Sequence, residues 1–149
     1  MIKPEQAPPG LIREVIAGRL PMPPCAKLLG WEVLAIDAEA GTIETRFNQA
    51  EAFLNPAGIV QGGFLAAMLD DTLGQALMAT LEPGWFSPTI ELKVNYIRSA
   101  RTAPIYGFGK LVHKGGSIGF SEGRLEDADG NLLTTATGTF KLVRPKNPA

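Results

Sequence analysis

The clearest pattern in the chain is the two-residue alternation of TIELKVNYI at residues 89–97, where Ile90, Leu92, Val94 and Tyr96 oppose Thr89, Glu91, Lys93 and Asn95. A period of two puts one row of side chains on each face of a pleated strand, so this segment predicts a half-buried strand with its apolar row toward a core. Similar alternation runs from Trp31 to Ile36 and from Thr42 to Phe47, predicting two strands joined near Ala40 and Gly41. Three further strands are predicted at roughly 104–113, 117–127 and 132–143, separated by Lys114-Gly115-Gly116 and Asp129-Gly130, both hairpin signals. The carboxyl half therefore reads as an antiparallel meander.

Two segments follow a helical period instead. Residues 62–81, GGFLAAMLDDTLGQALMATL, are apolar around most of a helix and are closed by Pro83 and Gly84, which predicts a buried central helix. Leu11, Ile12, Val15 and Ile16 predict a short amphipathic helix, ended by Pro21, Pro23 and Pro24 because proline lacks an amide proton and disfavours helix at the residue before it. Residues 48–61, NQAEAFLNPAGIVQ, have no period and read as a loop of the length that often carries function. The expected architecture is α+β: one domain over 1–149, with residues 1–28 as an N-terminal helical extension, a long helix against a six-stranded antiparallel sheet, and 144–149 as a flexible tail. A curled sheet of this kind leaves an edge strand open, and pairing two edges across a two-fold axis removes that liability, so at least a dimer is expected.

Composition narrows the function classes. The 149 residues suit one core. With 14 Lys and Arg against 15 Asp and Glu, and no basic run, nucleic acid is not an expected partner. A lone Cys25 forms no internal disulfide, and the amino terminus lacks a basic segment followed by an apolar stretch, so a cytoplasmic location is expected. No apolar run approaches the roughly 20 residues of a membrane span. His113 is the single histidine, so neither a Ser-His-acid triad nor a histidine-rich metal site can be assembled within one chain, and no metal is expected. Phosphate-loop and dinucleotide fingerprints are absent, and no cofactor is expected.

Candidate chemistry concentrates on the central helix. Gly63, Ala67, Asp70 and Gly74 share one helical face, which would stand the Asp70 carboxylate in a groove of small residues that a slender ligand can enter. The same spacing serves close packing, with Asp70 satisfying a backbone donor, and it does not decide between the two. Asp71 lies about 100 degrees round the helix and cannot enter the same groove; it reads as the partner of a surface or interface group. Gly62 and Gly63 open the helix, where unpaired amides and the helix dipole favour negative charge on a carbonyl oxygen, or where glycine merely shapes the turn. Asn55 offers a donor and acceptors from the loop, or forms a turn before Pro56. Cys25 reads as packing.

Taken together, NPAGIVQGGFLAAMLDDTLGQAL, TIELKVNYIRSA, LVHKGGS and ADGNLLTTATGTF resemble the PaaI-like branch of the hotdog-fold thioesterases, in the 4-hydroxybenzoyl-CoA thioesterase superfamily, from about Trp31 to Leu142. The family motif runs from an asparagine to a histidine-glycine-glycine six residues on and then to an acid on the buried helix; here these positions are Asn55, Gln61-Gly62-Gly63 and Asp70. The resemblance implies hydrolysis of an acyl-CoA to acid and CoA, with the carbonyl polarised by the amide of Gly62 or Gly63, Asp70 attacking or activating water, Asn55 positioning, and Thr89 as a hydroxyl near the acid. It implies a site shared across a homodimer or a dimer of dimers, the glycine amides and Asn55 of one subunit facing Asp70 and Thr89 of the other. It places His113, Lys114, Gly115, Gly116 and Ser117 near the pantetheine and phosphate arm of CoA, with Arg98 as a further phosphate contact. Two positions depart from the family pattern. Gln61 replaces the histidine, keeping hydrogen bonding but losing titration near neutral pH, and Ser99 replaces a proline. An acyl-CoA or acyl-lipid binding module without catalysis is the alternative.

Overall fold

The computed structural model describes residues 1–101 and 103–144. After a 3-10 turn at Pro4–Gln6, the elements are α1 (Leu11–Ile16), α2 (Pro24–Leu29), β1 (Trp31–Asp37), β2 (Thr42–Phe47), α3 (Gly62–Met78), β3 (Thr89–Tyr96), β4 (Ile105–Lys114), β5 (Ile118–Glu126) and β6 (Leu132–Lys141), with a further 3-10 turn at Ala50–Phe53. All strand pairs are antiparallel and form one six-stranded sheet in the order β1-β2-β4-β5-β6-β3. The fold is the α+β hotdog arrangement, a long helix wrapped by the sheet. Among the described residues no helix is long and apolar enough to cross a membrane.

The core lies between α3 and the sheet. Leu65, Met68, Leu69, Leu73, Ala76 and Leu77 of α3 are buried against Val33, Ile43, Phe47, Ile105, Leu125 and Phe140. Thr72 is buried with them and is doubly satisfied: its Oγ1 donates to the Met68 carbonyl at 2.8 Å and lies 3.0 Å from Thr45 Oγ1 on β2. The helix sits this close because β4 presents glycine to it. A Cβ at Gly107 would lie 2.5 Å from Thr72 Oγ1, and one at Gly109 would lie 2.8 Å from the Thr72 carbonyl oxygen, neither of which a packed core tolerates.

Several expectations change. Pro24 begins α2 rather than ending a helix, because at the first helical position its missing amide proton is no loss and its φ is already helical; α1 itself stops at Ile16. The central helix ends at Met78, short of Leu81. The loop after β2 is partly ordered, with Leu54 and Val60 forming a β-bridge. The meander holds for β4, β5 and β6, whereas β3 crosses to pair with β6 and becomes an edge. The expected tail lies, beyond Arg144, outside the described residues.

The alternation in β3 also breaks. The register passes from Thr89 opposite Phe140 to Glu91 opposite Thr139, so a bulge at Ile90 puts two residues against one and reverses the faces. Thr89 turns toward α3 with Leu92 and Val94, and Ile90 is left 57% exposed.

Candidate active site

The bulge in β3 decides the geometry around Asp70. It aims Thr89 at the helix, and Thr89 Oγ1 donates a hydrogen bond to Asp70 Oδ1 at 2.8 Å. Asp70 is half-buried rather than enclosed by apolar groups, and its helical face continues into exposed Ala67 and Gly63. The cost of taking a carboxylate out of water is therefore relieved by partial hydration and by one hydroxyl. A carboxylate fixed through one oxygen is held in one rotamer while keeping further lone pairs for a reacting group.

The start of α3 forms a second cluster. Gln61 is the N-cap, and its Oε1 accepts from the Gly63 amide at 2.8 Å. Of the two candidate amides, Gly63 is thus committed within the chain, while Gly62 at N1 has no acceptor among the described residues. Tyr96, at the end of β3, donates its hydroxyl to the Gly62 carbonyl at 2.8 Å and lays its ring beside Gly62, where an added Cβ would lie 3.2 Å from it. Sequence reasoning missed Tyr96; its only signal was an aromatic residue closing the alternating run. Asn55 closes a turn, its Oδ1 accepting from the Ala57 amide at 2.9 Å and, more loosely, from Ile59 at 3.4 Å. Its amide group is what remains for other contacts.

These clusters do not converge within one chain. Gly62 and Asp70 are eight residues apart on one helix, about 12 Å along the axis at 1.5 Å per residue. Gly62 lies at the Tyr96 end of β3 and Asp70 at the Thr89 end.

The hairpin from His113 to Ser117 is exposed and lies at the Thr89 end of the sheet, since Gly119 of β5 and Thr89 of β3 both face Phe140 of β6. Its lysine is not free: Lys114 Nζ donates to the Thr80 carbonyl at 2.8 Å, just beyond the C-terminus of α3, where a cation is favoured by the helix dipole. His113 lies beside Phe120 with ring centroids 6.3 Å apart. Arg98 follows β3 at the other end, near Asp127, whose acidity it helps to raise after the larger effect of Asn131. One protomer therefore separates Arg98 from the hairpin.

Asp71 contradicts its expected surface role. It faces away from Thr89, under the N-terminal extension, beside a cavity of about 260 Å³. Its Oδ2 is buried and has no hydrogen-bond partner among the described residues. Burial, and secondarily the negative charge of Asp70, push its pKa up to about 6. The larger hollow, about 670 Å³, lies over the sheet near Phe108, Lys110 and Arg124 and contains none of the candidate residues. No group of three or more His, Cys, Asp or Glu among the described residues is placed to hold a metal.

Comparison with known proteins shows the family. A family profile described as the Thioesterase superfamily matches residues 57–134, more than half of the chain. The chain belongs to the thioesterase superfamily. A Saccharolobus solfataricus protein that carries an esterase name is 30% identical over 115 residues, covering 77% of this chain and 81% of the relative. The crystal structure of a phenylacetic acid degradation-related protein from Ralstonia eutropha superposes with a TM-score of 0.82 at 38% identity, covering 86% of this chain and 96% of that one. A thioesterase-fold protein of Streptococcus pneumoniae, solved with coenzyme A, has a TM-score of 0.69 at 19% identity, covering 78% and 88%. The profile spans Gln61, Gly62, Gly63, Asp70, Thr89, Arg98 and the 113–117 hairpin, while Asn55 lies just before it. As a member of this superfamily the chain is a hydrolase of thioesters.

Proposed function

We propose that this thioesterase hydrolyses acyl-CoA, with Asp70 as general base or nucleophile, and that each site is built from two protomers. The observation that carries the reading is the hydrogen bond from Thr89 to Asp70 on the open flank of α3. The carboxylate draws a proton from a water attacking the thioester carbon, or attacks that carbon itself. The carbonyl oxygen takes up negative charge against the Gly62 amide, the C–S bond breaks as that oxyanion collapses, and the sulfur leaves as the CoA thiolate; where Asp70 itself attacks, water then hydrolyses the acyl-aspartyl anhydride to free acid and carboxylate. Gln61 keeps its helix-capping bond to Gly63 and needs no titration for this role. The coenzyme A in the pneumococcal relative supports CoA as the thiol component.

The distance of about 12 Å along α3 between Gly62 and Asp70 supports a shared site. The exposed edge β3 carries Tyr96 and Ile90, 54% and 57% exposed, and residue Ile97 beyond it is 59% exposed. Antiparallel pairing of two such edges satisfies their open backbone groups and brings the Tyr96 end of one protomer to the Thr89 end of the other. Gly62 of one subunit then faces Asp70 of its partner. The same pairing brings Arg98 of one protomer toward the 113–117 hairpin of the other, a basic and glycine-rich surface suited to the phosphates of CoA.

The test is turnover of a broad acyl-CoA panel, read with a thiol reagent, by wild type, Asp70→Asn and Gly62→Val, and by mixed dimers of the two variants. Each variant alone loses activity, and a mixed dimer regains one competent site, since Asp70 from one chain meets Gly62 from the other. Equal activity of wild type and Asp70→Asn on every substrate sinks the catalytic reading, and tight CoA-ester binding without turnover selects a binding module instead. Inactive mixed dimers sink the sharing.

A further inference from the structure

The buried flank of α3 holds a cavity that the hydrolytic site does not use. It lies between Leu11, Ile12 and Val15 of α1, Ala26 of α2, Asp71, Gln75 and Met78 of α3, and the loop carrying Trp85 and Phe86. None of Asn55, Gln61, Gly62, Gly63, Asp70 or Thr89 lines it. Its walls are mostly apolar, and among the described residues its charged lining groups are Asp71 and Glu82, with no lysine or arginine. Two of its residues keep polar atoms that the described residues leave unpartnered, Asp71 Oδ2 and Trp31 Nε1, and Trp31 is only 6% exposed.

We infer that this cavity is a binding site for a small organic amine, whose apolar body rests among Trp31, Met78 and Trp85 and whose ammonium group pairs with Asp71, with Glu82 at the rim. The two lining carboxylates disfavour an anion. A wholly apolar ligand dries Asp71 further without pairing it, which is the costly case for a buried ionised group. A cation offsets that cost and also gains from the electron-rich indole faces. The surface of Trp85 already attracts a cation of the chain, the Arg144 guanidinium standing 5.2 Å from its ring. The volume of about 260 Å³ suits a ligand of one ring and a short arm.

The chain has two tryptophans, and both line this cavity, so intrinsic fluorescence reads it directly. The experiment titrates the full chain with 2-phenylethylamine, with 2-phenylethanol as the neutral isostere and phenylacetate as the anion. The amine should give a saturable change at least about tenfold tighter than the alcohol, a difference of about 1.4 kcal/mol, and phenylacetate none. Asp71→Asn should remove the preference for the amine. In the wild type, acidifying from about pH 8 to about pH 5 should remove it as well, as Asp71 takes up a proton; the charged and titratable groups around it are Asp70 beside it on α3, Glu82 and Cys25 in the cavity lining, and Arg144 at Trp85. Absence of a saturable amine signal, equal binding of amine and alcohol, or a preference that survives in Asp71→Asn or at low pH overturns the inference.

Discussion

The flank of α3 that carries Asp70 and the flank that carries Asp71 treat the same side chain in opposite ways. Asp70 is half-buried, takes a hydrogen bond from Thr89 at 2.8 Å and continues into an open face of Ala67 and Gly63. Asp71 lines a cavity with residues of the N-terminal extension, has an oxygen without a partner among the described residues and a pKa pushed up to about 6. A turn of about 100 degrees between consecutive helical residues is all that separates them. On the proposed mechanism burial does not mark the reactive carboxylate: the group proposed to meet substrate is oriented and left hydrated, and the one driven out of water is its neighbour.

The two carboxylates should therefore separate under mutation. Asp70→Asn removes the proposed base or nucleophile and should lower acyl-CoA turnover by about 100- to 10,000-fold. Its effect on stability should stay near 1 kcal/mol, the worth of one partly exposed hydrogen bond. Measuring turnover and the urea midpoint on the same preparation checks both. A large loss of stability with retained turnover would exchange the roles assigned to the two flanks.

Asp71→Asn should do the reverse. The folded pKa lies near 6 against a reference of 3.8, so between about pH 4 and 6 the folded state binds more protons than the unfolded state, and stability falls as pH rises through that window. Above it the penalty is constant, on the order of 3 kcal/mol for a shift of about two units. Asparagine cannot ionise, so the variant should be more stable than wild type at pH 7 by roughly 1–3 kcal/mol and should lose the slope. Urea midpoints across that pH range read both.

Thr89→Val sharpens the comparison from the strand side. It keeps the shape of Thr89 and removes the hydroxyl that holds Asp70, so kcat should fall about tenfold with little change in KM, the pattern of a lost orienting contact. Steady-state kinetics on the best acyl-CoA substrate decides it. An unchanged kcat would mean that Asp70 is positioned by the packing of α3 alone.

How much of this was legible follows from which interactions are local. The period of α3, the alternation of β2 and the Lys114-Gly115-Gly116 hairpin depend on neighbours within a few residues, and the structure follows them, whereas the alternation of β1 breaks at a bulge between Val33 and Ala35. The bulge at Ile90 left no local mark, because it arises from the fit of β3 on β6, and it reversed the expected faces of Thr89 and Ile90. The crossover of β3 to the sheet edge is equally non-local. Asp70 and Thr89 were named from motif spacing, yet their direct contact exists only because of that bulge. Asp71 was misjudged for a related reason: residues far away in sequence, at Leu11, Ala26 and Trp85, cover it. Gln61 shows the opposite case, where a departure from the family residue has a local consequence, a cap on the Gly63 amide, that its chemistry alone makes intelligible.

The smallest expected effect concerns the far end of β3, where Tyr96 holds the Gly62 carbonyl at 2.8 Å. That bond fixes the peptide plane leading from Gly62 into the helix and supports the ring contact that keeps Gly62 seated. Tyr96→Phe keeps the ring and deletes the hydroxyl, so the Gly62 amide should remain near its place but with greater freedom. Turnover should fall only about two- to fivefold, equivalent to roughly 0.4–1 kcal/mol, and the loss should appear in kcat rather than in KM because an oxyanion donor acts on charge that develops in the transition state. In a mixed dimer of Tyr96→Phe with Asp70→Asn, the surviving Asp70 belongs to the Tyr96→Phe chain and the facing Gly62 to the chain with intact Tyr96. That site should turn over at the wild-type rate, which makes the smallest perturbation the most direct reading of which protomer supplies which group.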